Sequence, residues 1–375
     1  MKIISKIKYF FDIFNILIPS VTPKELIFFV TARCNAHCAH CLYKKQVDDQ
    51  TRTSQELNLE EIEKIAQSYG RLIKLSISGG EPFIRNDLPE IIKIFNKYSQ
   101  PNIVDIPTNG SLPKIIEKSV KEILRITNIP IIEIQLSIDG PKGIFEKISG
   151  IADHYDKIIE TYQLLDAIRQ KDERLKIKMN FTYVPENKQY VEPLVHQMNR
   201  EYKFDRLQIT FPHGHHIRNT VINKLFYQEF YTLSKKINME VAPPNLWDFH
   251  SLIFRAIKML RDDFLLKTMT HGNMGRFCGA GKKIVVIDDI ANVYPCEVLW
   301  QSIGNLRKHN YNIKTILKGE KYQSFKKKYL GKNKCNCSWG NIALDAIIYN
   351  PLYWPKVIFN TFKIFFFHAS KKNKT

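Results

Sequence analysis

Apolar residues recur along this chain with two alternating periods. Near the start, Ile3, Ile4, Ile7, Phe10, Phe11, Phe14, Leu17 and Ile18 fall on one side of a helix. Lys2, Ser5, Lys8, Asp12 and Asn15 fall on the other, and Pro19 closes it. Residues 26–30 are a short apolar run, the mark of a strand. Asn58 with Glu61 three residues on forms a capping box, and Ile62, Ile65, Ala66 and Tyr69 follow at helical spacing until Gly70. Further strands are predicted at 73–77, 103–106, 131–137, 177–184 and 207–211. Helices separate them: one marked by Leu88, Ile91, Ile92 and Phe95, one at 158–168 and one near 191–199. Six strands alternating with helices imply parallel βα units, two short of an eight-stranded barrel. The alternation then stops. Residues 222–269 read as helices, and 284–296 as a hairpin with strands at 284–287 and 293–295 and a polar turn at Asp288 and Asp289.

With 375 residues the chain has room for roughly two to three domains and a sizeable core. An apolar fraction of 44% and a charged fraction of 25% exclude a disordered, collagen-like or mini-protein chain. The net charge of +19 fits a lysine-rich solvated surface or an anionic partner, whether membrane surface, acidic substrate or nucleic acid. Nucleic acid suits it least, because the aromatic-and-glycine signature of a single-strand RNA reader is missing. Lys6, Lys8, Asp12 and Asn15 interrupt every candidate signal-peptide core, and seven cysteines, an odd number, suit a disulfide framework badly. A reducing cytoplasm is the expectation. The final segment carries Tyr349, Tyr353, Trp354, Phe359, Phe362, Phe365, Phe366 and Phe367, then Lys371, Lys372 and Lys374. Aromatics with a basic flank suit a membrane interface, so peripheral contact is one expectation and packing within the molecule the other. Pro351, Pro355, Lys356, Asn360 and Lys363 exclude a simple transmembrane helix.

Cys34, Cys38 and Cys41 follow the first strand. Three thiolates within eight residues face one point only from a loop wrapped around it. Zinc would want a fourth ligand, and His37 or His40 is at hand. An iron–sulfur cubane held by three cysteines leaves one iron open for a small molecule. The C-x3-C-x2-C spacing resembles the signature of the radical S-adenosylmethionine (SAM) superfamily, with His40 in a position that is typically aromatic there. Ser78-Gly79-Gly80-Glu81-Pro82 after the second strand is similar to that family's GGEP segment. Thr108-Asn109-Gly110 and Ser137-Ile138-Asp139-Gly140 end the third and fourth strands, where parallel barrels place their chemistry. The resemblance covers about residues 24–215.

The resemblance implies an α/β fold with a partial (βα)6 TIM-like barrel. It implies a 4Fe–4S cluster on Cys34, Cys38 and Cys41 whose open iron is chelated by SAM. Gly79, Gly80 and Glu81 would hold the methionyl amino end, the glycines letting backbone approach the ligand closely. Asn109, Ser137 and Asp139 are candidates for the carboxylate and ribose. One electron, from a low-potential donor such as flavodoxin or ferredoxin, would yield a 5′-deoxyadenosyl radical that abstracts a substrate hydrogen; the protein orients the cofactor and excludes water. One departure stands out: where many relatives carry an arginine after the fourth strand, this chain has Ser149, with Lys147 as the nearby cation.

The other four cysteines lie in the last third. Cys278 and Cys296 flank the hairpin, and Cys335 and Cys337 form a CxC. Their context resembles the auxiliary-cluster extension called SPASM or twitch, and four thiolates suit one fully ligated 4Fe–4S cluster. A structural zinc on the same four thiolates is the alternative. Asn341 stands where relatives often have a further cysteine, and Asn292 replaces the usual turn glycine, so an open or lost second cluster also stays open. His213, His215 and His216 past the sixth strand read as a metal site or a polar loop of the substrate cleft. Glu297 and Tyr294 read as base or radical relay, or as ordinary hairpin residues.

The expected organisation is an amphipathic helix (1–22), a radical SAM core (23–220), a helical connector (221–270), a small auxiliary-cluster domain (271–345) and an aromatic, basic tail (346–375). The expected activity is radical oxidation or cross-linking of a peptide or protein side chain. Modification of a lipid or sugar is the second expectation, and a small molecule remains an allowed substrate. A non-catalytic iron–sulfur or zinc scaffold or redox sensor is the reading of another class; Gly79-Gly80-Glu81-Pro82 speaks against it, since a sensor needs no methionine site.

Overall fold

The computed structural model describes residues 22–213, 224–241, 249–271, 278–330, 337–348 and 350–372. The helix expected at 3–18, His215, His216, Cys335 and Tyr349 lie outside them.

Strand β1 (Glu25–Thr31) is followed by α1 (Leu59–Tyr69), β2 (Lys74–Gly79), α2 (Leu88–Tyr98), β3 (Ile103–Thr108), α3 (Pro113–Ile126) and β4 (Ile131–Ser137). Then come α4 (Ile144–Ser149), α5 (His154–Arg169), β5 (Leu175–Thr182), α6 (Lys188–Glu201) and β6 (Arg206–Thr210). All six strands pair in parallel in chain order, as the alternation implies. The capping box forms: Asn58 Oδ1 accepts from Glu61 N–H, and the Glu61 carboxylate accepts from Asn58 N–H.

Strands β2 to β6 alternate between two faces. Leu75, Ile77, Val104, Ile106, Ile132, Ile134, Ile177 and Met179 are fully buried in the core. Lys74, Asp105, Glu133, Lys178 and Arg206 share the other face, where Lys178 on β5 reaches Asp105 on β3 at 3.1 Å and also pairs with Glu133. Side chains two strands apart meet only on a concave face, so the sheet curves around a polar interior.

Helices α7 (Lys224–Glu240) and α8 (Phe249–His271) follow. The hairpin expected at 284–296 is present, but it is part of the same sheet. Strand β7 (Ile284–Ile287) pairs in parallel with β1, Glu25 opposite Ile284, and β8 (Asn292–Tyr294) and β9 (Gly304–Asn305) add antiparallel beyond it. The order is β6-β5-β4-β3-β2-β1-β7-β8-β9. Leu26–Val30 of β1 is apolar and buried on both faces, as in a central strand of a parallel sheet, and β7 satisfies the backbone groups on the edge that β2 leaves open. Helices α9 (Ile313–Lys318), α10 (Glu320–Tyr329), α11 (Gly340–Ile348) and α12 (Trp354–Lys372) complete the chain, and α11 and α12 both pack on α8. Among the described residues, no helix is long and apolar enough to cross a membrane.

Candidate metal and cofactor centre

The three clustered cysteines sit on the loop leaving the C-terminal end of β1, and all three are free, half-buried thiols. Burial pushes Cys34 up to about 11 and Cys38 up to about 12; each is raised further by neighbouring Cys41, which burial also raises. The three share one loop, where Cys41 N–H donates to Cys38 O at 3.2 Å, in surroundings where a thiolate is costly unless a cation accompanies it.

Each segment singled out in the sequence holds this loop. From the glycine segment, Gly80 N–H donates to Thr31 O at 2.8 Å and Glu81 N–H to Arg33 O at 2.9 Å. A Cβ on Gly80 would stand 2.0 Å from Arg33 O, and one on Gly79 (φ +125°) 2.2 Å from Thr31 O. The space cleared by the two glycines is filled by the cysteine loop's own backbone, which can pass this close only because both side chains are missing. From the β3 end, Asn109 Nδ2 donates to Asn35 Oδ1 at 2.8 Å, and Asn35 Nδ2 donates to Ser111 Oγ at 2.8 Å. From the β4 end, Asp139 Oδ2 lies 3.3 Å from His40 Nε2. Burial opposes a charged His40 ring, but the Asp139 carboxylate outweighs it and holds the ring's pKa above its usual value. Past α4, Ser149 O accepts from His37 N–H at 2.7 Å.

The Glu81 side chain is buried and fully engaged. Its carboxylate accepts from Thr108 Oγ1 (2.8 Å), Asn109 N–H (2.8 Å) and Phe83 N–H (3.2 Å). Burial raises its pKa to about 7, with these hydrogen bonds pulling the other way. Glu81 thus clamps the β2 end to the β3 end. Asp139 is similarly built in, accepting from Thr182 N–H at 2.7 Å. Ser137, half-buried, lies in register beside Asn180, whose Oδ1 is buried without a hydrogen-bond partner. An orphaned acceptor on the polar interior face fits a donor-bearing ligand there.

Ser149, in the arginine's place, is buried. Its hydroxyl meets His154 Nδ1 at 2.7 Å, and His154 Nε2 meets Asn109 O at 2.7 Å. A carbonyl only accepts, so Nε2 carries the hydrogen and Nδ1 accepts from Ser149. Burial lowers the His154 pKa, in keeping with this neutral ring, which stacks on Phe145 with centroids 4.0 Å apart. Lys147 is exposed to solvent and offers the interior no substitute cation.

Sequence reasoning missed two arrangements, both between residues far apart in the chain. Asp288 and Asp289, at the polar turn of the hairpin, are wholly buried. The Arg52 guanidinium bonds Asp288 Oδ2 at 3.0 Å and Asp289 Oδ2 at 3.2 Å, and the Tyr43 hydroxyl donates to Asp289. Tyr294 donates to Asp288 at 3.0 Å and stacks on Trp300 at 4.5 Å. Tyr43 is two residues past Cys41, so this network joins the cysteine loop to the hairpin. The second arrangement is His213 Nε2 at 2.9 Å from Glu297 Oε2, with the His213 ring facing Trp339 at 6.5 Å. Glu297 adjoins Cys296, and Trp339 N–H donates to Cys337 Sγ at 3.4 Å. His213 therefore lies between the neighbours of two auxiliary cysteines, both buried. Cys278 precedes β7.

Comparison with known proteins agrees with this layout. The family described as the radical SAM superfamily matches residues 28–198, and the iron–sulfur cluster-binding domain named SPASM matches residues 278–338. A probable GTP 3′,8-cyclase of Methanococcus aeolicus is 33% identical over 34% of this chain and 41% of its own length. An AdoMet-dependent heme synthase of Methanosarcina barkeri is 23% identical over 77% of this chain and 81% of its own. The chain spans only 41%, 44% and 62% of the length of the first three curated relatives it matches. Among solved structures, Streptococcus suis SuiB bound to S-adenosylmethionine superposes with a TM-score of 0.55 at 16% identity, covering 85% of this chain and 69% of SuiB, a likeness of fold.

Proposed function

This chain belongs to the radical SAM superfamily and carries an iron–sulfur SPASM domain, and from that premise we propose that it modifies a peptide or protein side chain by radical chemistry. It is an enzyme with iron–sulfur clusters and SAM as cofactors. We assign the SAM-binding cluster to Cys34, Cys38 and Cys41, and the auxiliary cluster to Cys278, Cys296, Cys335 and Cys337. When bound, these groups supply one-electron cleavage of a sulfonium and hydrogen-atom abstraction from the substrate. The residues do the rest. The carbonyls of Gly79 and Gly80 and the loop fixed by Glu81 receive the methionyl amino end. Asn109, Ser137 and Asp139 orient the carboxylate and ribose. Asp139 keeps His40 in place against the cysteine loop, and the walls of the curved sheet exclude bulk water.

The observation that carries this reading is the convergence of the β2, β3 and β4 ends and the α4 terminus on one cysteine-bearing loop. Support for a peptide comes from SuiB, a fold relative whose structure has been solved bound to precursor peptide SuiA. A low-potential donor such as a flavodoxin or ferredoxin would supply the electron, and the reducing cytoplasm suits the free thiols. A second reading, modification of a lipid or sugar intermediate at a membrane, is favoured by the exposed aromatic face of α12. The test is anaerobic co-expression with any short peptide encoded beside the gene, followed by mass spectrometry. The proposal expects a mass change in the peptide that disappears in Cys34→Ala. An unchanged peptide, with SAM turnover stimulated by a lipid extract, would overturn it in favour of the second reading.

A further inference from the structure

Helix α12 has two unlike sides. Val357, Thr361 and Ile364 are buried, and this side packs against α8. The opposite side carries Trp354, Ile358, Phe359, Phe362 and Phe366, all solvent-exposed, with Leu352 just before the helix. The exposure is large: 82% for Leu352, 69% for Phe359 and 63% for Phe366. One helical turn separates Trp354 from Ile358, Ile358 from Phe362 and Phe362 from Phe366, so the apolar groups form a continuous stripe. Scattered exposed apolar residues need no explanation; a contiguous stripe of six marks an interaction surface.

The charge around the stripe identifies its partner. Residues 346–375 contain Lys356, Lys363, Lys371, Lys372 and Lys374 and no aspartate or glutamate. Lys356 and Lys363 are exposed and lie along one edge of the stripe. An anionic lipid surface wants cations at the headgroups and rings in the acyl boundary, and this segment supplies both. Long lysine side chains reach back to headgroups while their stems lie on apolar surface. We propose that α12 is an in-plane membrane anchor that docks this enzyme on anionic phospholipid through Leu352, Trp354, Ile358, Phe359, Phe362 and Phe366. The proposal does not depend on which substrate is modified.

The experiment is co-sedimentation of the full chain with vesicles of phosphatidylcholine alone or mixed equally with phosphatidylglycerol. The full chain should pellet with the anionic vesicles, and less so as salt rises. Phe359→Ser/Phe362→Ser/Phe366→Ser should lose about a hundredfold or more in partitioning, since each ring contributes roughly tenfold. Lys356→Glu/Lys363→Glu should lose affinity for anionic vesicles only, about fivefold or more per lysine. Iron content and uncoupled 5′-deoxyadenosine formation should not change in either variant. Equal partitioning of wild type and the serine variant would overturn the proposal. So would a dimer in light scattering that the serine variant dissociates, or vesicle binding that appears only after deletion of residues 1–21; these would make a second copy or the chain's own start the occupant.

Discussion

The Arg52 network makes a quantitative test of how the cysteine loop is held. Arg52 is the cation for two carboxylates that have no solvent exposure. Arg52→Met keeps most of the volume and removes the charge and its hydrogen bonds to Asp288, Asp289 and Tyr43. Removing one partner of a buried pair costs about 3–5 kcal/mol, because the other charge is left desolvated. For a chain of this length each kcal/mol corresponds to roughly 1–2 °C, so a fall of about 3–10 °C is expected in thermal melts of the metal-free protein. Hydrogen exchange should quicken together at residues 41–57 and 288–300, which the network joins, and iron loading at the cysteine loop should fall. The control is Arg52→Met/Asp288→Asn/Asp289→Asn, which removes the stranded charges and should recover at least about half the loss. A cost below about 1 kcal/mol, or no recovery in the triple variant, would refute the reasoning.

Three further outcomes follow from local geometry. Gly80→Ala drives a methyl into Arg33 O, so it should cost roughly 1–3 kcal/mol in denaturant titration and lower the iron content measured at the cysteine loop. The Glu61 carboxylate is held down to about 2 by Arg307, Asn58 N–H and Tyr311. Its folded pKa lies below the unfolded value, so its stabilisation is present at neutral pH and lost as pH falls. By pH 4 about 0.5–1 kcal/mol should be gone, discounted for the solvent that reaches it, and denaturant titrations of Glu61→Gln should show a correspondingly flatter acid limb. His213→Ala leaves the buried Glu297 without its partner; a loss of about 1–3 kcal/mol in denaturant titration is expected, and His213→Gln should recover part of it.

The parallel core was legible because its signals are local. Alternating runs, the Asn58–Glu61 box and glycine stops each depend on neighbours in sequence, and all appear in the fold. The cysteine spacing and the loop motifs were legible for the same reason. What the sequence concealed was tertiary. Asp288 and Asp289 have the composition of a polar turn, and the cation that makes their burial tolerable, Arg52, lies more than two hundred residues away. His213 lacked a visible carboxylate until β8 brought Glu297 beside it. The pairing of β7 with β1 was hidden too, since four apolar residues carry no record of their neighbour. That Gly79 and Gly80 also make room for the backbone of the cysteine loop was hidden for the same reason, since that neighbour lies nearly fifty residues earlier in the chain.

The most direct measurement is 5′-deoxyadenosine formation by the anaerobically reconstituted chain with a low-potential reductant, alongside Cys34→Ala/Cys38→Ala/Cys41→Ala. The wild type should cleave SAM, and the triple variant should release no 5′-deoxyadenosine while keeping the iron held by the last four cysteines. Cleavage that survives loss of all three thiols, or a fully iron-loaded wild type that never cleaves SAM, would contradict the account.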